Sequence, residues 1–179
     1  MNRTLKRIII GMLVVIASLL AVVYGVGLSL PQDHVAAVRA EFSATPEEIF
    51  ATIADYRSYP EWRPSVERIE ELPARDGNPA WVVIEATGPL PMELTESEPP
   101  IRLVTTILSE GMPFGGRWIY EIEPAATGTT VTITEEAEVY SPLFRFVSRY
   151  LMGHHATASL FLSDLGAHLG EDITVDVVR

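Results

Sequence analysis

Residues Ser141–Gly170, SPLFRFVSRYLMGHHATASLFLSDLGAHLG, change the period of the chain. Upstream, apolar residues come in short, partly alternating runs punctuated by glycine and proline; here they recur at helical spacing. Ser141 suits an N-cap, Pro142 the first helical position and Gly170 the stop after Leu169. On a helical wheel Phe144, Val147, Leu151, Ala158, Leu162, Leu165 and Leu169 form one stripe. The spacing predicts a helix from Pro142 to Leu169, about 42 Å long, packed on a sheet through Val147, Leu151, Leu162 and Leu165. Gly153 and Gly166 lie inside it, each costing about 1 kcal/mol of helix propensity, so a bend is expected near Gly153.

Seven strand-like runs precede that helix: His34–Phe42, Ser65–Leu72, Ala80–Thr87, Leu90–Glu98, Ile101–Ser109, Gly116–Glu123 and Thr129–Tyr140. Thr45-Pro46-Glu47-Glu48 after the first run reads as a capping box, opening a helix Pro46–Ala54 with Ile49, Phe50 and Ile53 on one face. Asp55–Pro64, with two prolines and three aromatic residues, reads as a second short helix or loop. The later connections, such as Asp76–Pro79, Gly88-Pro89 and Pro99-Pro100, are too short for parallel crossovers, so the strands should form an antiparallel meander. The expected fold is α+β: a seven-stranded antiparallel sheet wrapped around a long C-terminal helix, with two short helices after the first strand. Residues 171–179 form a C-terminal tail whose apolar part, Ile173–Val178, has no assigned place.

The 23 residues Ile8–Leu30 carry no charge and follow Arg3, Lys6 and Arg7. At 1.5 Å per residue they reach about 35 Å, enough to span a hydrocarbon layer of about 30 Å. The expected arrangement is a cytoplasmic N-terminus (1–7), a transmembrane helix (8–30), a linker (31–33) and an extracytoplasmic domain (34–170) in the cell membrane. A cleaved signal peptide is the competing reading. The apolar run is longer than such peptides usually have, and no A-x-A site follows it. Residues 31–179 hold ten Arg, no Lys and all 24 acids, a net charge of 10 − 24 = −14. Such a surface repels phosphate backbones, which argues against a nucleic-acid partner, and it opposes adhesion to anionic lipid. The absence of cysteine removes disulfides and thiol nucleophiles.

Thr45–Phe50 resembles an opening "P-x-x-V-[WF]" helix, and Asp55 with Tyr59–Val66 (YPEWRPSV) a "D…YPxWxPxV" segment. Pro113–Pro124 (PFGGRWIYEIEP) and Gly128–Val131 resemble a penultimate hairpin. Together they are similar to the SRPBCC superfamily of helix-grip folds, which includes START domains, pollen allergens and polyketide cyclase/dehydrase-like proteins. The resemblance covers about 34–170 and implies a cavity between helix and sheet. It specifies fold better than function, because the superfamily includes binders, carriers and enzymes.

Tyr56, Tyr59 and Trp62 fall where the resemblance implies the mouth of such a cavity. Trp118 and Tyr120 share a strand face with Ile122. Lining an apolar pocket and filling a core are the two readings of these aromatics, with Leu151 and His155 as further lining candidates. Glu135 is the only charge on the face Val131, Ile133, Glu135, Ala137 and Val139, and Glu85 the only one on Trp81, Val83, Glu85 and Thr87. Inside a cavity either carboxylate would have a raised pKa and serve as a proton acceptor; a slip of register or an arginine partner would remove that role. His154 and His155, on a continuous helix, diverge by about 100° and so do not share a metal ion. Each is a candidate for polarising a ligand. Phosphate-loop, dinucleotide and nucleophile-elbow motifs are missing, and no cofactor or metal is expected. The leading expectation is a membrane-anchored domain that binds an apolar small molecule or lipid. A cyclase/dehydrase-type enzyme using Glu135, Glu85 or a histidine, and an interaction module with a filled core, are the alternatives.

Overall fold

Thr45 forms the capping box read from its sequence: its hydroxyl accepts from the Glu48 N–H at 3.3 Å, and the Glu48 carboxylate accepts from the Thr45 N–H at 3.0 Å. Pro46 then occupies the first turn of the helix that follows. In this computed structural model, which describes residues 3–178, the order begins with α1 (Arg3–Ser29), β1 (Asp33–Phe42) and α2 (Pro46–Ala54). A 3-10 turn (Tyr56–Ser58), α3 (Tyr59–Trp62), β2 (Val66–Arg75) and β3 (Asn78–Glu85) come next. Then follow β4 (Gly88–Glu98), β5 (Arg102–Ile107), β6 (Phe114–Ala125) and β7 (Gly128–Val139). The chain closes with α4 (Pro142–Val147), a π-turn (Ser148–Met152), α5 (Ala156–His168) and β8 (Asp176–Val178). The side chains of Leu151 and Met152 lie outside the described part, and so does the lining role expected of Leu151.

Among the described residues the sheet is antiparallel and has eight strands in the order β2-β3-β4-β5-β6-β7-β1-β8. The meander β2 to β7 follows from short turns, and β1 closes onto β7 with Val38 opposite Ile133. The eighth strand is the tail. The Glu171 carboxylate accepts from the Ser43 and Ala44 N–H groups at 2.6 and 3.0 Å, and Ile173 packs on the core beside Gly166. Those contacts deliver Asp176–Val178 to the free edge of β1.

The single long helix expected over Pro142–Leu169 is two helices at different phase. Ser141 caps α4 as its sequence implies, with the Phe144 N–H 3.4 Å from its hydroxyl. The chain then widens into the π-turn and breaks at Gly153, whose φ of +79° lies in the left-handed region that glycine tolerates. Only the second half of the expected stripe reaches the sheet's concave face: Ala158, Leu162 and Leu165 are buried, whereas Val147 is half-buried and Phe144 stacks on Phe114. Phe161 shares that face of α5 with Ala158 and Leu165, and 1% of its surface remains exposed.

The helix α1 has the length and composition of a membrane anchor or a signal sequence, and its apolar stretch is unburied. Its last turn touches the domain. The Pro142 backbone fills the space where a Cβ on Gly27 would stand.

Candidate functional site

Phe161 organises the interior. Tyr59, Trp62, Trp118 and Tyr120 surround it with ring centroids 5.4–6.0 Å away, mostly edge to face. Tyr59 and Trp62, expected at a pocket rim, are buried. The Tyr59 hydroxyl donates to the Ile53 carbonyl at 2.8 Å, and the Trp62 indole donates to Ser58. Burial pushes the Tyr59 phenol well up, and Tyr120 up to about 12, so both stay protonated. Tyr56, also expected at the mouth, stacks flat on Trp81 at 4.1 Å. This half of the interior is a filled core.

Glu85 does not face an open cavity. Its carboxylate takes long contacts from Arg63 at 3.4 Å and Ser65 at 3.3 Å. Arg63 in turn lies over the rings of Tyr59 and Phe161. Glu85 therefore has the arginine partner that the sequence leaves open as the alternative to a proton-acceptor role.

The other end of the concave face differs. Register places Thr105, Trp118, Glu135 and Ala36 in one row across β5, β6, β7 and β1, and Gly116, Ala137 and His34 in the next. Beyond Trp118 the wall is built of small residues around one carboxylate. Glu135 keeps 20% of its side chain exposed and His34 keeps 18%, with 4.0 Å between Glu135 Oε1 and His34 Nε2. The break at Gly153 lays His154 over this pair, its ring centroid 4.0 Å from that of His34 and tilted by 40°. His155 follows at the N-cap position of α5, and the buried Nδ1 atoms of His154 and His155 have no hydrogen-bond partner.

The electrostatics follow from burial. Desolvation pushes Glu135 from its ordinary 4.5 up to about 7, partly offset by the hydrogen bond that Trp118 offers the carboxylate. Desolvation pulls His34 down, reinforced by His154 and His155, and pulls His154 down together with Arg149 and His155. The 4.0 Å contact is an ion pair only with His34 protonated and Glu135 ionised, and burial opposes both. Near neutral pH the site thus offers a carboxyl group that gains or loses a proton easily beside uncharged imidazoles. Among the described residues no group of three His, Asp or Glu side chains is arranged to hold a metal ion.

The fold gathers Glu135, Trp118, His154 and His155 at one end, with the two histidines following a full break where the sequence predicts a bend. His34 was missed. Its role arises from the pairing of β1 with β7, and only its position two residues before Ala36, on the same strand face, hints at it. A groove of about 530 Å³ crosses the ends of β1, β5, β6 and β7; His34, Gly116 and Ala137 line it, so it adjoins the Glu135 end, and the Arg117–Glu136 ion pair contributes to its lining.

Solved structures share this architecture. A START superfamily protein from Mycobacterium smegmatis superposes with a TM-score of 0.58 at 14% identity, over 78% of this chain and 98% of that one. Norcoclaurine synthase from Thalictrum flavum gives 0.59 at 11% identity, over 78% and 88%. The di-domain ARO/CYC protein StfQ of the steffimycin biosynthetic pathway gives 0.53 at 10% identity, over 77% of this chain and 46% of that one. At such identities the likeness concerns fold. No curated protein matches the chain in sequence. The family model described as "Polyketide cyclase / dehydrase and lipid transport" matches residues 33–163, so with its helix-grip architecture the chain belongs to that family.

Proposed function

We propose that this protein is a membrane-anchored binding domain for an apolar small molecule or lipid whose polar end meets Glu135. The observation that carries the reading is the division of the concave face. One end is packed with aromatic rings, while the other joins small residues to the carboxylate of Glu135, between Trp118 and Ala36, with His34 and His154 beside it. Apolar walls with few polar groups suit ligands that are mostly hydrocarbon. The α1 helix supports retention at a membrane, and the family's description includes lipid transport. Of the residues first considered as lining, Trp118 and His155 remain next to this end, and Tyr56, Tyr59, Trp62 and Tyr120 support it from the core. Native mass spectrometry of the full chain, released from membranes in mild detergent, tests the reading. The expected spectrum carries an apolar adduct that Trp118→Ala diminishes. An adduct-free spectrum, unchanged when fatty acid or phospholipid is added, would refute it.

A second reading rests on the same carboxylate. A group titrating near 7 beside uncharged imidazoles suits proton abstraction from a bound substrate, with the proton passing to a Glu135 oxygen. Norcoclaurine synthase, of similar fold, is an enzyme by name. Glu135→Gln separates the two readings: a binder keeps most of its affinity, whereas an enzyme keeps binding and loses turnover.

A further inference from the structure

Leu143, Phe146 and Tyr150 lie at i, i+3 and i+7 along α4 and the π-turn that continues it, on one face of a helical segment. Leu143 is 47% exposed and Tyr150 58%, and the Phe146 and Tyr150 rings are 5.0 Å apart. The opposite side is occupied. Phe144 stacks on Phe114. Arg145 turns back onto backbone carbonyls: Nε donates to Val139, Nη2 to Tyr140, and Nη1 to Gly27 and Leu30 at 3.5 and 3.3 Å.

Those last two carbonyls belong to the C-terminal end of the apolar run Ile8–Leu30. The Pro142 backbone lies against Gly27, and the Val139 N–H donates to the Gln32 carbonyl at 2.9 Å. The segment 142–150 is therefore fixed at the point where α1 leaves its apolar stretch. The charge pattern changes at the same place. Residues 139–163 form a run of 25 without Asp or Glu, whereas the next longest acid-free runs in 31–179, residues 99–109 and 124–134, have 11 each. A domain of net charge −14 has cleared acids from the one segment tied to its apolar helix.

We propose that α4 and the π-turn lie in the bilayer interface, with Leu143, Phe146 and Tyr150 in contact with lipid. The proposal rests on α1 being a retained anchor. Tyrosine and other amphipathic rings favour the headgroup level, and a helix with an apolar face lies flat there. Arg145 is engaged by carbonyls and Arg149 is left as the exposed cation of the segment, so on zwitterionic lipid the contact is mainly apolar and insensitive to salt. The break at Gly153 follows directly, which brings His154 and the Glu135 end of the concave face to the lipid surface.

The chain has no cysteine, so single labels are clean. Leu143→Cys, Tyr150→Cys, Val35→Cys and Val15→Cys, each in the full chain, carry an environment-sensitive fluorophore in phosphatidylcholine nanodiscs. Nitroxide-labelled lipid and aqueous iodide serve as quenchers, and circular dichroism verifies the fold of each variant. The expected result is that nitroxide quenches labels at 143 and 150 several-fold more than at Val35, on the outer sheet face, with the reverse order for iodide. The pattern should persist at roughly 1 M salt, where the screening length falls to about 3 Å. Labels at 143 and 150 that behave like Val35 while Val15 is quenched by lipid would overturn the interfacial helix alone. A Val15 label open to iodide would overturn the anchor and, with it, this proposal.

Discussion

His34 Nε2 stands 4.0 Å from Glu135 Oε1 because β1 pairs with β7 and sets Ala36 opposite Glu135. The pair joins the first strand of the domain to the last strand of the meander. Among the described residues it is the one place on the concave face where a titrating carboxylate and two histidines meet among small residues.

Burial holds Glu135 protonated to about 7, against an ordinary 4.5. The folded state therefore binds more protons than the unfolded state between those values, and stability contributed by this group falls as pH rises through that window. Glu135→Gln removes the titration. The variant should gain stability relative to the parent from pH 4.5 to 7, by up to about 3 kcal/mol, and then level off. Urea unfolding of both proteins in detergent across that range checks it. A difference independent of pH would mean that Glu135 is solvated.

Phe161→Ala should cost about 3–5 kcal/mol, because the ring is the centre of four aromatic contacts and leaves a cavity. Urea unfolding measures this directly. A loss below about 1 kcal/mol would mean that α5 is not seated on the sheet.

Gly153→Ala introduces a side chain at φ +79° where no atom lies within 4 Å of the new Cβ. Its cost is conformational, about 1 kcal/mol or more. The imidazole resonances of His34 and His154 should shift together, since their rings lie 4.0 Å apart directly beside the break. Unchanged stability and spectra would indicate a continuous helix.

Glu171→Ala removes the carboxylate that accepts from Ser43 and Ala44. Charge-assisted bonds of this kind contribute about 1.5–3 kcal/mol, reduced by their exposure. Faster amide exchange at Val177 and Val178 is expected, because their strand is delivered by that contact. Unaltered exchange would mean that β8 holds its edge independently.

Local chemistry was legible in the sequence. The Thr45 capping box, the Ser141-Pro142 helix start and the glycine–proline turns each act within a few residues, and each forms as read. What was not legible depends on distant contacts. The stripe from Phe144 to Leu169 fits one helix in which Gly153 marks a bend; the full break there, with φ +79°, goes with the packing of Phe144 on Phe114 and of Phe161 in the core. His34 reads as the start of a strand until β7 lies beside it. Trp62 and Tyr59 look amphipathic enough for a rim, but partners at Ser58 and Ile53 satisfy their polar atoms inside. Strand parity isolates Glu135 as the one charge on an apolar face, and it isolates Glu85 equally; only a tertiary partner, Arg63 on Glu85, tells the two apart.

Displacement of a fluorescent fatty acid from the full chain in detergent reads ligand binding with the fewest intermediate steps. Binding is expected below about 100 μM, weakened several-fold by Trp118→Ala and little changed by a substitution on the outer sheet face such as Val35→Ser. No saturable binding of the fatty acid, or of a phospholipid analogue, in that range would contradict a ligand-binding role.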